Sequence, residues 1–379
     1  MTKVIHIWFP GPDGGRFHLT EILSDDFINS PEAIRNPYRQ QIHRFLKWWF
    51  HSTNHLVMTT SGSTGKPKEL RFKRDQIEAA ARSSMQLLGP EPSSKCLLAI
   101  DPTFAGGAML MVRSLLAESD IVCIPPVADP FSLDDESIYA GLDYVALVPY
   151  QVRSILQNET SKRRMAAVRT VLIGGAPLPE SLHQELAELP NGIFSTFGMT
   201  ETLSHVALWK IGQLPQGYKP VPGVNLSADE SGCLVIRSNW LGEIRTQDRV
   251  QWVTDTDGAM AFRWIGRADR IINSGGHLIN PDMTEAVLEE FMKGEPTVTA
   301  YFATGEPDER LDEQLIIVVE TMDDGSGDLM SRLETFIQSK LTKWDRPRRI
   351  IFTDNILRTR SGKVDRRETM SNLQPRKRG

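Results

Sequence analysis

The sequence contains few cysteines, has no long apolar run and carries no large excess of either charge. Three cysteines occur in 379 residues, and their spacing matches neither a disulfide scaffold nor a Cys/His zinc site. No stretch approaches the ~18 apolar residues that span a membrane, and the first residues lack the apolar core of a secretory signal. We therefore expect a cytoplasmic protein without a membrane span.

The charged residues are distributed unevenly along the chain. The formal net charge is −5, yet residues 340–379 contain 13 Lys and Arg against 4 Asp and Glu. This basic segment is either a solvated chain end or part of a small domain that meets a phosphate-rich ligand. Nucleic acid is not an expected partner, because the whole chain is acidic and no basic stripe alternates with aromatic residues.

Short apolar runs alternate with helical patterns between residues 55 and 200. The predicted strands are 56–59, 97–100, 121–124, 144–148 and 171–173, with helices between them that include 106–117 and 179–189. Alternating strands and helices favour a largely parallel sheet with helices on its faces. A ligand is then expected at the carboxyl ends of the strands.

The pattern changes twice after residue 200. From about 203 to 265, short apolar runs between Gly, Pro, Asn and Asp predict a small antiparallel β subdomain. The elements predicted beyond it are a helix at 281–293, strands at 297–303 and 314–321, and a helix at 328–341. The expected fold class is therefore α/β, with mainly parallel sheets and the β subdomain in a large N-terminal domain, 1–267. A small mobile α+β domain is expected over 268–379.

The most informative segment follows the first predicted strand. It reads Thr59-Thr-Ser-Gly-Ser-Thr-Gly-Lys-Pro-Lys68 and is rich in hydroxyl side chains, glycine and lysine. Glycines let backbone N–H groups approach an anion, while hydroxyl and lysine groups add hydrogen bonds and charge. The segment is either a phosphate-binding loop or a solvated polar turn. Its candidate binding residues are Thr59, Thr60, Ser61, Gly62, Ser63, Thr64, Gly65, Lys66 and Lys68.

This loop does not match the Walker pattern Gly-x-x-x-x-Gly-Lys-Ser/Thr. Residue 60 is Thr where that pattern has Gly, and Pro67 occupies the position of the Mg²⁺-binding hydroxyl. Residues 69–72 also predict a strand, whereas a Walker loop continues into a helix. The sequence therefore does not favour a P-loop NTPase.

The loop instead resembles the phosphate-binding motif of the adenylate-forming superfamily, which includes acyl-CoA synthetases, luciferases and peptide-synthetase adenylation domains. Five further segments resemble that superfamily's motifs in the same order. They are Gly174-Gly-Ala-Pro-Leu178, Thr196-Phe-Gly-Met-Thr-Glu201, Thr246-Gln-Asp248, Gly266-Arg-Ala-Asp-Arg-Ile-Ile-Asn-Ser-Gly-Gly276 and Arg358-Thr-Arg-Ser-Gly-Lys363. The resemblance covers residues 55–368 and implies an enzyme that activates a carboxylic acid with ATP. Residue 247 departs from it, being Gln where the family usually has Gly.

The resemblance implies a nucleotide-binding role for each N-terminal motif. The loop would bind the β- and γ-phosphates, Thr200 would contact the α-phosphate, and Glu201 would hold Mg²⁺. Asp248 would accept hydrogen bonds from the ribose hydroxyls, and Arg267 would donate to ribose or phosphate. The residues expected near adenine and the acyl-phosphate are Gly174, Gly175, Ala176, Thr196, Phe197 and Gly198. The alternatives are a helix N-cap or surface acid for Glu201, a surface ion pair for Asp248 or Arg267, and a plain strand-to-helix turn for residues 174–176.

The C-terminal motifs imply two arrangements of the small domain. In the family, Lys363 bridges the acyl carboxylate and the α-phosphate during adenylation, so it is the implied catalytic residue together with Thr200 and Glu201. Asp269 occupies the hinge position, about which the domain would turn to a second arrangement. The residues that would then help to form a tunnel for the thiol of coenzyme A are Ser274, Gly275 and Gly276. An ordinary β-turn is the alternative for that segment.

Within the superfamily, the chain is similar to the compact bacterial o-succinylbenzoate:CoA ligases of menaquinone biosynthesis. The similarity rests on the short region before residue 59, on residues 197–208 and on residues 101–113. It implies a short acyl pocket. The candidate substrate residues are Phe104, Gly106, Gly107, Arg113 and His205. Some of these ligases have His after the Phe, whereas residue 105 is Ala here.

The roles of two substrate candidates stay open at this point. Arg113 either binds the second carboxylate of o-succinylbenzoate or extends from its apolar helix to solvent. His205 either helps to bind that carboxylate or forms a hydrogen bond within the core.

The function of the chain also has open alternatives. The expected substrates are ATP, coenzyme A and a small carboxylic acid, with Mg²⁺ as the cofactor. A CoA ligase for another aryl or short acyl acid is one alternative, and an adenylating enzyme that loads a carrier protein is another. A non-catalytic nucleotide-binding protein is disfavoured because both Lys363 and Glu201 are present.

Overall fold

The structure is a computed structural model that describes residues 5–11, 14–52, 55–59, 69–178, 180–213, 217–254, 258, 260–322, 328–359 and 364–373. The strands are β1 (His6–Phe9), β2 (Gly15–His18), β3 (Leu56–Thr59), β4 (Glu69–Phe72), β5 (Lys95–Leu98), β6 (Asp120–Cys123), β7 (Leu142–Leu147), β8 (Thr170–Ile173), β9 (Gly192–Gly198), β10 (His205–Lys210), β11 (Lys219–Pro220), β12 (Val224–Ala228), β13 (Cys233–Ser238), β14 (Gly242–Thr254), β15 (Met260–Arg267), β16 (Ile272–Ser274), β17 (His277–Ile279), β18 (Val298–Asp308), β19 (Asp312–Thr321) and β20 (Arg349–Thr353). The α-helices are α1 (Leu19–Ile22), α2 (Asp25–Ile28), α3 (Pro31–Arg35), α4 (Pro37–His51), α5 (Arg74–Leu88), α6 (Ala105–Leu116), α7 (Pro149–Leu156), α8 (Glu159–Ala166), α9 (Glu180–Ala187), α10 (Pro281–Lys293), α11 (Asp328–Lys340) and α12 (Arg366–Asn372).

The largest sheet has nine strands in the order β11-β10-β9-β8-β7-β5-β6-β1-β2. Its central strands, β9 through β6, are parallel, and β1 pairs with β6 in the same direction. The strands predicted at 97–100, 121–124, 144–148 and 171–173 all lie in this parallel part, at slightly shifted bounds. The predicted α/β class with a mainly parallel sheet is therefore confirmed.

Both faces of this sheet are covered. On β5, Cys96 and Leu98 face one hydrophobic cluster, whereas Leu97 and the following Ala99 face another. Successive side chains of a strand point to opposite faces, so each face of the strand is buried in its own core. Helix α6 packs in the first core and α7 in the second.

The structure corrects two expectations about the sheets. The strand predicted at 56–59 exists as β3, but it forms a separate antiparallel pair with β4 instead of joining the parallel sheet. Its side chains explain this, because Met58 is buried while Val57 is 45% exposed, as in a hairpin with one solvated face. The strand beginning at His205 is β10, which extends the large sheet antiparallel to β9. The separate antiparallel sheet therefore begins later, at Val224.

That antiparallel sheet has the order β12-β13-β14-β15. The residues beyond β15 form another sheet, in which β17, β16, β19 and β18 are antiparallel and β20 pairs parallel with β19. Helix α10 has the bounds predicted for it, with Pro281 in its first turn and the Asn280 side chain accepting from the Asp282 N–H. It packs with α11 against the buried face of β19. Among the described helices, none is long and apolar enough to cross a membrane.

The burial of His183 gives this fold a testable pH dependence. The residue is 8% exposed, its ring lies 4.1 Å from that of Trp209, and burial lowers its pKa from 6.5 to about 4. As the pH falls, His183 therefore takes up its proton in the unfolded chain before it does so in the folded protein. The contribution of neutral His183 to the free energy of unfolding is fully present above pH 6.5 and is lost as the pH falls towards 4. At pH 4.5 the free energy of unfolding is lower by about 2–3 kcal/mol on account of this residue.

The substitution His183→Phe keeps a ring against Trp209 and removes this titration. We expect the variant to lose about 2–3 kcal/mol less stability than the wild type between pH 7.5 and pH 4.5, measured by urea denaturation. Parallel curves for the two proteins would contradict the assignment. The same substitution at the exposed His51 is the control.

Candidate active site

Two segments of the predicted nucleotide site lie side by side at the carboxyl edge of the parallel sheet. The last residue of β8, Ile173, pairs with Ser195 of β9, so Gly174 and Thr196 are neighbours. The Gly174 N–H donates to the Leu147 carbonyl at 3.0 Å, which continues the sheet one residue past β8. The strands therefore bring both segments to the edge where open parallel sheets bind ligands.

Packing within the protein explains why residue 174 is glycine. A Cβ at this position would lie 2.2 Å from the Thr196 Oγ1, and the Thr196 hydroxyl donates to the Ile173 carbonyl at 3.2 Å. Gly175 has φ +85°, a conformation that favours glycine. Packing against Thr196 accounts for the first of these glycines, and the backbone conformation accounts for the second. Gly175 and Ala176 are exposed and form the part of the turn that faces outward.

The other two candidates on β9 have different neighbours. The ring of Phe197 packs edge-on against Phe262 of β15, with centroids 5.1 Å apart. At Gly198, a Cβ would approach the Cα of His205 to 2.6 Å, so only glycine lets β10 come this close. Phe197 thus joins the large sheet to the small antiparallel sheet, and Gly198 shapes the strand end that precedes Thr200.

A strained turn after β9 holds Thr200 and Glu201. The two residues begin a 3₁₀ helix, Thr200–Thr202, in which Glu201 is exposed. The Met199 N–H donates to the Thr202 hydroxyl at 2.9 Å. Leu203 is fully buried and has φ +66°, a conformation that costs a non-glycine residue about 1–3 kcal/mol and persists only where packing enforces it. The turn therefore fixes the Glu201 backbone while leaving its carboxylate in solvent.

The sheet pairing brings Asp248 and Arg267 together. They are direct partners on β14 and β15, and the Trp264 indole N–H donates to the Asp248 carboxylate at 2.8 Å. Asp248 is 7% exposed. Burial raises its pKa, the indole and Arg267 oppose that shift, and the charges of Asp269 and Glu201 add to it. Arg267, Asp269 and Glu201, which come from two distant parts of the chain, thus lie within electrostatic range of Asp248.

The predicted hinge residue is tied to the same cluster. Asp269 accepts two hydrogen bonds from the Arg267 guanidinium, at 2.9 and 2.6 Å. Just before it, Gly266 has φ +137°, and a Cβ there would meet the Asn280 side chain. That Asn280 amide donates to the Ile265 carbonyl. The end of β15 and the start of α10 are therefore held together at the segment predicted to turn.

The segment Ser274–Gly276 forms an ordinary hairpin turn between β16 and β17. Ser274 pairs with His277, and Gly275 and Gly276 have φ values of +62° and +89°, as a two-residue hairpin turn requires. Gly275 N–H donates to the Leu311 carbonyl at 2.7 Å.

Some predicted residues lie outside the described residues. They are Thr60, Ser61, Gly62, Ser63, Thr64, Gly65, Lys66, Lys68 and Lys363. Thr59 is the last residue of β3, and its backbone pairs with Glu69 of β4.

The acyl-pocket candidates lie where α6 begins, close to the carboxyl end of β5. Phe104 is the residue before the helix, and its backbone has an extended conformation. A Cβ on Gly107 would approach the Asp101 carbonyl oxygen to 2.3 Å, so glycine lets the helix start close to the strand end. A Cβ on Gly106 would have the end of the Ile100 side chain as its nearest atom, at 3.2 Å. The start of α6 thus reaches the same edge of the sheet as Gly174.

Arg113 lies on α6 and is buried, with 3% exposure. Of the two alternatives for this residue, extension to solvent is therefore wrong, because the side chain points into the core instead. Its Nε donates to the Ser84 hydroxyl at 2.8 Å and its guanidinium donates to the Ser204 hydroxyl at 2.5 Å.

The Nε2 of His205 is buried without a hydrogen-bond partner among the described residues. Burial and the charge of Arg113 hold the pKa of His205 well below its ordinary value.

Sequence reasoning missed several residues of these clusters. Trp264 was not a candidate, although it donates to Asp248. Ser84 and Ser204 were not candidates either, although both accept from Arg113. No local signal marks any of them, because the partners come together only through sheet pairing and helix packing.

Two family models match this chain. The model of the AMP-binding enzyme family matches residues 40–246, and that of the AMP-binding enzyme C-terminal domain matches residues 288–363. The chain belongs to the AMP-binding, adenylate-forming enzymes. The matched ranges include the predicted phosphate loop, the glycine turn, Glu201 and Lys363.

Individual relatives of this adenylate-forming enzyme agree with the family match. The 2-succinylbenzoate–CoA ligase of Lactococcus lactis is 26% identical over 336 residues, which are 83% of this chain and 70% of that protein. An acyl-CoA synthetase (AMP-forming)/AMP-acid ligase II-like protein from Dyadobacter fermentans superposes with a TM-score of 0.55 at 32% identity, covering 90% of this chain and 95% of that one. The O-succinylbenzoate coenzyme A synthetase of Bacillus subtilis, in complex with ATP and magnesium, superposes with a TM-score of 0.68 at 20% identity, covering 83% and 69%. The last comparison supports the fold alone.

Proposed function

We propose that this enzyme is an ATP-dependent acid–CoA ligase that works through an acyl-adenylate, with o-succinylbenzoate as its acid in menaquinone biosynthesis. The observation that carries the proposal is that strand register sets Asp248 opposite Arg267, which donates to Asp269. Glu201, just after the carboxyl end of β9, is close enough for its charge to act on Asp248. Family membership supplies the reaction class. The relative from Lactococcus lactis that is named 2-succinylbenzoate–CoA ligase supports the choice of acid.

The nucleotide is proposed to lie along the edge from Gly174 to Asp248. The buried Asp248 carboxylate has acceptor capacity beyond the indole N–H, which suits the ribose hydroxyls. The exposed turn at 174–176 and residues 196–198 would border adenine. The hydroxyl-rich and lysine-rich loop 59–68 supplies donors for the β- and γ-phosphates.

The acidic residues present fit Mg²⁺. Glu201 offers one exposed carboxylate on a fixed backbone, and among the described residues no three His, Cys, Asp or Glu side chains gather as a metal-binding group. Mg²⁺ is commonly held by one or two carboxylates and the phosphates of a nucleotide, so a single carboxylate is sufficient. Bound there, Mg²⁺ would neutralise phosphate charge.

The reaction is proposed to proceed in two displacements. A carboxylate oxygen of the acid attacks the α-phosphorus of ATP, and the bond to the leaving pyrophosphate breaks. The thiol of coenzyme A then attacks the acyl carbon, loses its proton and displaces AMP. Thr200 and Lys363 would stabilise charge at the α-phosphate in the first step. Rotation about Asp269 would bring Ser274–Gly276 to the site for the second.

The acid specificity follows from the start of α6. Phe104, Gly106 and Gly107 are proposed to line a short pocket with one aromatic wall, which would suit a compact aromatic acid better than a long fatty chain. The aliphatic carboxyl of o-succinylbenzoate is the group proposed to be activated.

The test is ATP–pyrophosphate exchange with a panel of acids: o-succinylbenzoate, benzoate, anthranilate, malonate and octanoate. We expect the highest kcat/KM with o-succinylbenzoate, by at least about 10²-fold over benzoate, and a thioester detected by mass spectrometry when coenzyme A is added. A higher kcat/KM for benzoate or octanoate would reject the proposed acid and leave the adenylating reaction standing. Exchange without any thioester would reject coenzyme A as the acceptor and favour a carrier protein.

A further inference from the structure

A positive charge lies in the core of the N-terminal domain without an acidic partner. Arg113 is 3% exposed, and within the described parts of the chain its hydrogen bonds go to two neutral hydroxyl groups, those of Ser84 and Ser204. A buried charge that lacks a counter-charge is costly, by several kcal/mol. The fold therefore maintains a cation at a place where an anion would be strongly stabilised.

Two further polar atoms beside this guanidinium lack partners. The Tyr144 hydroxyl and the Nε2 of His205 are buried without a hydrogen-bond partner among the described residues, and the Tyr144 side chain is fully buried. Both groups lie close enough to Arg113 for its charge to act on their pKa values. Buried polar groups are nearly always satisfied, so three unmet or partly met donors around one point indicate a missing acceptor.

The position of Arg113 on α6 relates this cluster to the acyl pocket. Gly106 and Arg113 are seven residues, or about two turns, apart on one helix, so they lie on the same face and about 10 Å apart along its axis. The start of α6 lies at the carboxyl edge of the sheet, and Arg113 lies deeper between α5 and β10 through its bonds to Ser84 and Ser204. A short acid that entered at the exposed Gly106 would extend its far end towards the guanidinium.

We infer that Arg113, held by Ser84 and Ser204, binds the second carboxylate of a short dicarboxylic acid whose other carboxyl group is activated. The inference rests on the proposed acid–CoA ligase function, but it concerns the class of acid and does not require o-succinylbenzoate. A guanidinium has five N–H donors in a planar fork that suits a carboxylate. The bonds to the two serines use two of them and fix the orientation of the rest.

His205 and Tyr144 differ from Arg113 in that they carry no charge in this subsite. Because burial and the neighbouring guanidinium hold the pKa of His205 well below its ordinary value, the imidazole is neutral at physiological pH. Burial likewise raises the pKa of Tyr144 to about 12, so the phenol keeps its proton. Both groups are therefore neutral, the phenol can donate a hydrogen bond, and Arg113 alone supplies the charge.

The first test uses the wild-type protein and does not depend on any variant. Binding of o-succinylbenzoate is compared by calorimetry with that of 4-oxo-4-phenylbutanoate, which is the same acid without the aromatic carboxylate. We expect the dicarboxylic acid to bind at least about 10²-fold more tightly. Equal affinities for the two acids would overturn the inference.

The second test measures selectivity in pyrophosphate exchange. In Arg113→Met, the ratio of kcat/KM for the dicarboxylic acid to that for the monocarboxylic acid should fall by about 10²-fold, while the KM for ATP keeps its wild-type value. Arg113→Lys keeps a charge and should recover part of the ratio. Arg39→Met, which removes the charge of another buried arginine (4% exposed), is the matched control and should keep the wild-type ratio. An unchanged ratio in Arg113→Met would overturn the inference.

The two proposals fail in distinguishable ways. If a different short dicarboxylic acid is the best substrate and its advantage disappears in Arg113→Met, the proposed acid is wrong and the carboxylate subsite stands. If o-succinylbenzoate is the best substrate but its advantage survives in Arg113→Met and Arg113→Lys, the proposed function stands and the subsite is wrong.

Discussion

Lys363→Ala is expected to lower acyl-adenylate formation by about 10³-fold while leaving thioester formation from synthetic acyl-adenylate within a few-fold of wild type. The reason is that the lysine is proposed to stabilise charge between the acyl carboxylate and the α-phosphate, which arises only in the first displacement. The second displacement is proposed to use a different arrangement of the C-terminal domain. Pyrophosphate exchange measures the first half-reaction, and release of AMP from the supplied adenylate measures the second.

The control for this substitution lies in the same basic region. Lys343→Ala removes a lysine that stacks near Trp344 and should leave both half-reactions at the wild-type rate. An equal loss of both half-reactions in Lys363→Ala would mean that the lysine supports the site as a whole, which would refute the division of labour between the two arrangements.

Asp248→Ala is expected to raise the KM for ATP by about 10²-fold. Asp248 is buried against the Trp264 indole, and its carboxylate is proposed to accept from the ribose hydroxyls. Hydrogen bonds to a charged group contribute about 1.5–3 kcal/mol each, so the loss of even one corresponds to a 10- to 150-fold change. Initial rates of pyrophosphate exchange at varied ATP concentration give the KM.

The ribose contact itself can be isolated with 2′-deoxy-ATP. The wild-type enzyme should prefer ATP over 2′-deoxy-ATP by about 10-fold, and Asp248→Ala should have no preference. If the variant still discriminates between the two nucleotides, Asp248 does not contact the 2′-hydroxyl. Trp264→Phe removes the donor to Asp248 but keeps the carboxylate, so we expect it to retain the preference for ATP.

The predicted elements that agree with the structure have strong local signals. Strand β8 is buried at all four positions, and its run of apolar residues predicted it without any tertiary information. Helix α10 combines Asn280, Pro281 and a regular apolar period, which together fix its start. The parallel class followed from the alternation of such runs with helices.

The errors have a common physical cause. The run 56–59 and the run beginning at His205 were correctly predicted as strands, but each was assigned to the wrong sheet. The alternation of apolar and polar residues along a strand indicates that one of its faces is buried. Which strand it pairs with depends instead on hydrogen bonds to a segment elsewhere in the chain. Thus β3 pairs with β4 and β10 with β9.

By itself the sequence determined the α/β class, the order of the motifs and the reaction chemistry that they imply, because glycine, hydroxyl and charged residues carry those signals locally. Only the tertiary structure decided which charges meet. It placed Asp248 opposite Arg267 through strand register, and it buried Arg113 between two serines from separate elements. The physical reason is that burial and electrostatic range depend on distances in space, and these pairs are brought together by packing between segments far apart in the chain.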